Sequence, residues 1–504
     1  MKAAIAARHL RRTTGRHWRI GRPLDCGRRS RIGVRIRVHE AQAQYGDVGS
    51  WRTDIERLED LAQRMGEQER FAAMELRERL QWQTGDRGAQ RQTIFAMLDL
   101  AQRCSRSDWR LVALCALGNL LTDEGSLPEA EEPLQQALQL AVELTDVKRA
   151  LQVRQRLIQL WVRLNDLDNA RAALEVQRAE VSQSGSDADR LQLVRAEGAF
   201  GVLAEDAEIS RRSGEEMRAI ARRLGDLEAE GKALHLLAIS AHLRFDIENA
   251  VRYYEEGLDI FARLVQMQAM AVGYINYGGL MADCGHLDEA MRLVRHAITI
   301  AKGAGAQVAL ANAYLILVYA AIDSERFDEA LALAQEACEL AAGTGERKLM
   351  GGTLVYLGRA KFATGDCEAG LADIRAGLAM REETMALRQI LDDRCSLVEA
   401  LLARGLLDEA GVEADKLAGS FPESGNHARS VSRICLAIGK TREALGDMEE
   451  AWRWFELGRE RLDERLRGFT RPQDARAYGA LPFNRELRAR FDSAPETQRV
   501  ARSS

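Results

Sequence analysis

The chain has 504 residues, of which 46% are hydrophobic and 29% charged, and only seven are proline. This composition excludes a disordered or fibrous chain and favours long uninterrupted helices. The net charge of −5 conceals an asymmetry: residues 1–37 hold twelve Lys or Arg against one acid, Asp25, a net of +11 that leaves −16 on the rest, so a nucleic-acid groove along the body is excluded.

Residues 1–40 are expected to form a basic, disordered leader, the one part of the chain with the charge to meet nucleic acid. The first dozen residues lack the continuous apolar region of a signal peptide. From residue 41 onward the sequence repeats itself. A column of small residues runs through Ala89, Ala130, Ala170, Ser210, Ala250, Ala290, Ala330, Gly370, Ala410 and Ala451 in steps of 40 or 41. Twelve residues before the column, Gly118, Gly198, Gly278, Gly358 and Gly439 recur in every second unit. Small residues at fixed depth let two helix backbones approach, as a tight antiparallel hairpin requires. Gly or Asn before the column is expected to close the first helix in a left-handed conformation. Asp166, Asp206, Asp246, Asp366 and Asp447 are expected to cap the second helix.

The longest apolar stretch, Val308–Ile322, is too short to span a bilayer and reads as a buried helix. The eight cysteines form no CxxC pair and read as small buried hydrophobes. The fragment Gly439-Lys440-Thr441 resembles the end of a phosphate-binding loop, but Ile434 stands where the first glycine is required, and the segment is predicted to be helical. The aromatic group Trp452, Trp454 and Phe455 is expected to cap the end of the array. The repeats are predicted to run over 41–468, followed at 469–504 by a tail with one short helix and a disordered end.

A small residue, Ala twelve residues on and a second Ala seven further resemble the tetratricopeptide repeat, though the unit is 40 residues and its closing proline is missing. The longer unit, with linkers such as Arg-Leu-Gly-Asp at 223–226, resembles the C-terminal repeat regions of bacterial AAA or STAND-type signalling ATPases and of large maltose-regulator-like transcription activators. The segment Ala-Leu-Pro-Phe-Asn-Arg-Glu-Leu at 480–487 is similar to the one that closes such regions. The ATPase and effector modules of that family have no counterpart in this sequence.

The resemblance implies an all-α superhelix, or solenoid, of ten to eleven hairpins whose first helices line a concave groove. Groove positions are then Gln152, Gln155, Gln159, Gln192, Arg195, Lys232, His235, His242, Asn312, Tyr319 and Arg359. Such donors suit a polar or acidic segment of a protein or peptide partner, with a small inducer as an alternative occupant. His235 and His242 lie about two helical turns apart without a third ligand, so no metal site is expected, and no residue pattern suggests a cofactor, a catalytic centre or a membrane contact. The expected role is a non-catalytic, cytoplasmic sensor or adaptor in bacterial signal transduction. The alternative is the detached sensor region of an ATPase-coupled transcription regulator or nucleotide cyclase system.

Overall fold

The computed structural model describes residues 66–492 apart from 85, 125, 165, 185, 305–306, 345–346, 384–386 and 425–429, together with 55, 56, 59 and 62. The expected basic leader, Asn165 and the expected disordered end beyond residue 492 lie outside the described residues. Among these, twenty-two helices follow one another with no strand. They form ten hairpins: α1 (Glu67–Thr84) with α2 (Arg87–Arg103), α3 (Ser107–Asp123) with α4 (Leu127–Glu143), and α5 (Val147–Arg163) with α6 (Leu167–Ser184) come first. Next stand α7 (Asp187–Leu203) with α8 (Ala207–Leu224), α9 (Leu227–Leu243) with α10 (Ile247–Arg263), α11 (Met267–Asp283) with α12 (Leu287–Ala304), and α13 (Gln307–Asp323) with α14 (Phe327–Thr344). The last are α15 (Arg347–Ala363) with α16 (Cys367–Glu383), α17 (Leu387–Ala403) with α18 (Leu407–Ser424), and α19 (Val431–Ala444) with α20 (Met448–Gly468), followed by α21 (Pro472–Gly479) and α22 (Pro482–Asp492).

Two compact units meet in sequence between Trp109 and Arg110. In the first, Ile94, Met97 and Leu100 of α2 are buried, and Phe71 stacks on Trp109 at 4.8 Å. Here the column slips by one. Ala89 is only half-buried, and Gln90 occupies the buried position, its amide donating to Glu78 at 2.7 Å. A buried amide needs such a partner. The step from Gln90 to Ala130 is therefore a regular 40.

In the second unit every column residue from Ala130 to Ala451 is buried. The hairpins start where the sequence supplies caps. Asp206, Asp246 and Asp447 accept from backbone amides two or three residues on, and Asp166 and Asp366 do the same. Each satisfies an amide that has no partner inside its helix. Within the hairpins, turns at 285, 365, 405 and 446 place Gly at positive φ, as the sequence predicts. At 205, 245 and 325 the same left-handed position is held by Glu, Phe and Glu. What fixes the turn there is its hydrogen bonding: Asp246 N donates to Ala241 O at 2.8 Å and Arg326 N to Ala321 O at 2.9 Å, closing the helix in the six-to-one pattern.

Helices approach most closely in α15–α16, where Gly358 faces Gly370 and Gly351 faces Gly377 with no room for a Cβ. A large core runs through α9–α15 and is built mostly from Ala with Ile, Val, Leu, Met and Tyr, and Tyr254, Leu280, Val294 and Val318 lie deep inside it. No described helix is long and apolar enough to cross a membrane.

First helices of successive hairpins pack directly on one another, as α5 does on α7, α11 on α13 and α17 on α19. Successive second helices pack far less closely. They are joined instead by long arginine arms, such as Arg218 to Glu256 and Arg295 to Glu329. A stack that is tight on one side and loose on the other curves toward the tight side. In the second unit the first helices make up the closely packed side, and they are the candidate inner face.

Candidate functional site

The inner face is read from the first helices. Their sixth, ninth, thirteenth and sixteenth residues recur on one stripe, because spacings of three and four keep to one side of a helix. Gln152, Gln192, Lys232 and Asn312 hold the sixth position, Gln155, Arg195 and His235 the ninth, Gln159, Tyr319 and Arg359 the thirteenth, and His242 the sixteenth.

Apart from Arg359, these residues divide into three groups. Gln152 is exposed, Gln155, Gln192 and Arg195 are half-buried, and none makes a hydrogen bond or ion pair with the described residues. Arg195 Nε is buried without an acceptor among them. Lys232, Gln159 and Asn312 are satisfied within their own helices, Lys232 by Glu228 at 2.6 Å, Gln159 weakly by Arg156, and Asn312 by the Val308 carbonyl at 3.0 Å.

The third group ties one unit to the next. His235 Nε2 accepts from the Asn276 amide at 3.0 Å, and His242 Nε2 meets Asp283 at 3.0 Å, both 41 residues on. Tyr319 donates to the Gly279 carbonyl at 3.4 Å, 40 residues back. Burial lowers the His235 imidazole to about 4, so it is neutral at physiological pH, which suits an acceptor Nε2. These three side chains are committed to packing one first helix on another. Arg359 lies with its guanidinium 5.0 Å from the Tyr356 ring, and burial lowers its pKa, with the nearby Arg433 adding to the effect.

The same stripe continues beyond Arg359, where the sequence reading stopped. Forty residues on from Arg359 stands Glu399, and one unit after Asp392 stands Arg433. Arg433 donates through Nε to Glu399 at 2.9 Å and through Nη2 to both Glu399 and Ser396. Burial works against the Arg433 charge, and Glu399 more than offsets it, so Arg433 lies well above its ordinary range. Behind this pair a second is fully buried. Arg381 reaches from α16 past Gly352, where any Cβ would collide with it, to Asp393 at 3.1 Å. Desolvation raises Asp393 to about 6 despite the opposing Arg381. The 40-residue step from Arg359 was the available signal for Glu399. Arg381 had none, because it comes from a second helix.

Gly439, Lys440 and Thr441 lie inside α19. Gly439 faces the Phe455 ring, Lys440 pairs with Glu486 at 2.8 Å, and Thr441 donates to the Ala437 carbonyl at 2.9 Å. Cys284, Cys395 and Cys435 are buried, and desolvation pushes the thiols up, Cys435 to about 12. Among the described residues no three His, Cys, Asp or Glu side chains converge as metal ligands.

Paired antiparallel helices, a buried small-residue column every 40 residues and an inner face of first helices are now all in view. The chain is a tetratricopeptide-like repeat solenoid. No protein-family model matches it, and no curated protein does. Solved structures are similar in fold. A Rap protein complexed with competence and sporulation factor is 15% identical, over 68% of this chain and 97% of that one, with a TM-score of 0.48. A Rap conjugation gene regulator of the plasmid pLS20, in complex with the Phr* peptide, is 14% identical over 71% and 96%, with a TM-score of 0.47. A signal transduction ATPase with numerous domains and a tetratricopeptide repeat sensor, from Pyrococcus horikoshii, is 13% identical over 69% and 54%, with a TM-score of 0.41.

Proposed function

We propose that this chain is a non-catalytic binding scaffold whose inner face takes an extended protein or peptide segment, acting as a sensor or adaptor in bacterial signalling. The observation that supports this most is the unequal use of the inner stripe. In α5 and α7, Gln152, Gln155, Gln192 and Arg195 make no bond to the described residues, whereas in α9 and α13 the same stripe is bonded, His235, His242 and Tyr319 across units and Lys232 and Asn312 within their own helices. Polar groups without a partner are the ones left to hydrogen-bond a bound backbone, and an unpaired guanidinium favours an acidic side chain. On this reading the binding segment lies along α5 and α7.

The test is affinity capture by the full chain, repeated with Gln152→Glu, Gln192→Glu and Arg195→Glu combined. A partner that binds this stripe should lose at least about tenfold in affinity, roughly 1.4 kcal/mol. A partner held equally by both proteins binds elsewhere. The alternative reading, the sensor region of an ATPase-coupled regulator or cyclase system, draws on the similarity of 480–487 to the segment closing such repeat regions. An ATPase encoded beside this chain that binds it would favour that reading.

A further inference from the structure

The tail has two unlike faces. One is fused to the last hairpin. Leu481 and Leu487 are buried against α19 and α20 with Leu436, Phe455 and Leu462. Asn484, fully buried, accepts from Ser432 and donates to the Tyr478 carbonyl at 2.8 Å, so its polar atoms are met inside this core. Glu486 and Arg490 pair with Lys440 and Glu443.

The other face meets the turns of hairpins that lie far back in the sequence. The Phe245 ring stands edge-on to Phe469 at 5.4 Å and to Tyr478 at 5.6 Å, with the Arg465 guanidinium 4.7 Å from it. One unit on, His286 Nε2 meets Asp474 at 2.9 Å, and the Gly285 backbone lies so close to the Ala477 carbonyl that a Cβ would overlap it. One further unit on, Arg485 pairs with Glu325 at 2.7 Å, both more than half exposed. The preceding turn meets α17 in the same manner, Gln389 donating to Glu205 at 2.8 Å. Four successive turns thus receive chain from 160 to 233 residues later.

We propose that α20–α22 form a latch that seats as one body on the turns at Phe245, Gly285 and Glu325 and parts from them without unfolding. The asymmetry carries this. The face toward the last hairpin is a continuous apolar core with satisfied buried amides. The face toward the turns is narrower: half-buried Phe245 and Leu287 set against Tyr478 and Phe469, a half-buried His286 bonded to the buried Asp474, and the exposed Arg485–Glu325 pair. Separation follows the weaker plane. Helices of 8 and 11 residues do not persist alone, so α21 and α22 stay folded only by remaining on the last hairpin. The latch sets how far α9–α13 stand from α19 and α20, and the inference does not depend on what the inner face binds.

The test uses the full chain and two variants. Phe245→Asn removes the ring but keeps a residue that tolerates positive φ. Arg485→Glu sets like charges opposite Glu325, and Glu325→Arg in the same chain restores the pairing. Each single variant should raise hydrogen exchange about tenfold at 244–247, 284–287 and 469–478 and enlarge the radius of gyration in solution scattering, while 431–468 keep their protection. The charge-reversed double variant should return toward the parent. Unchanged exchange and scattering in both single variants would overturn the proposal. So would loss of protection throughout α9–α20, which would show that the contact holds the fold and does not open.

Discussion

Val265 sits at φ +56° with 73% of its surface exposed, between α10 and α11. A β-branched residue in the left-handed region is strained by roughly 1–2 kcal/mol and gains nothing here from burial. Val265→Gly should raise stability by about 1 kcal/mol, and Gly405→Ala, at φ +71°, should lower it by about as much, both read by urea unfolding. Asp393 makes a different prediction. Its folded pKa of about 6 lies above the ordinary carboxylate value, so the folded chain holds the extra proton. Its contribution is therefore complete below about pH 4 and is lost as pH rises through about 6. Asp393→Asn should remove that slope from stability measured between pH 4 and 7. A slope of unchanged size in the variant would assign it to another group. Neither Val265 nor Asp393 was legible in the sequence. Nothing in a 40-residue column announces a strained valine, and the partner of Asp393 lies on another helix.

At the scale of the helix and the hairpin, far more could be read. Ala, Ser and Gly at one depth specified the hairpins, and Asp166, Asp206, Asp246, Asp366 and Asp447 cap their second helices as their position predicted. A column reading treats each unit alone, however. It put His235, His242 and Tyr319 on the inner face without showing that their partners, Asn276, Asp283 and Gly279, lie one unit away. The unpaired Gln155, Gln192 and Arg195 came from the same columns and differ only in what the next helix offers them. Packing at this scale is also testable. Ala290 is fully buried, and its carbonyl lies beside Gly278. Ala290→Trp has no space to enter and should cost more than about 3 kcal/mol locally. Hydrogen exchange should rise in α11–α14 and stay unchanged in α3–α6. A uniform loss across the array would contradict the independence of the hairpins.

For the whole molecule, the sequence showed a linear array but not that the second compact unit folds back on itself. Turns at 205, 245, 285 and 325 meet residues well over a hundred positions later, and no local period encodes such a pairing. The tail carried a clue in its aromatics, since Trp452, Phe455 and Phe491 form one edge-to-face group. Trp452, Trp454 and Phe455 were expected to cap the array's end; Trp452 and Phe455 pack there under the tail helices, whereas Trp454 stands edge-on to Phe421 in the core one hairpin back.

The contrast between closely packed inner helices and arginine-bridged outer ones has a mechanical consequence. Such an array is a spring with a stiff inner rail and an extensible outer one. Pulled from its ends, it should yield hairpin by hairpin, each rupture releasing about 140 Å of contour length for 40 residues. The stretch from α9 to α20, held shut across the coil, should resist until that closure breaks and then pay out in quick succession. A force trace of evenly spaced peaks with one delayed group would display both features on a single molecule.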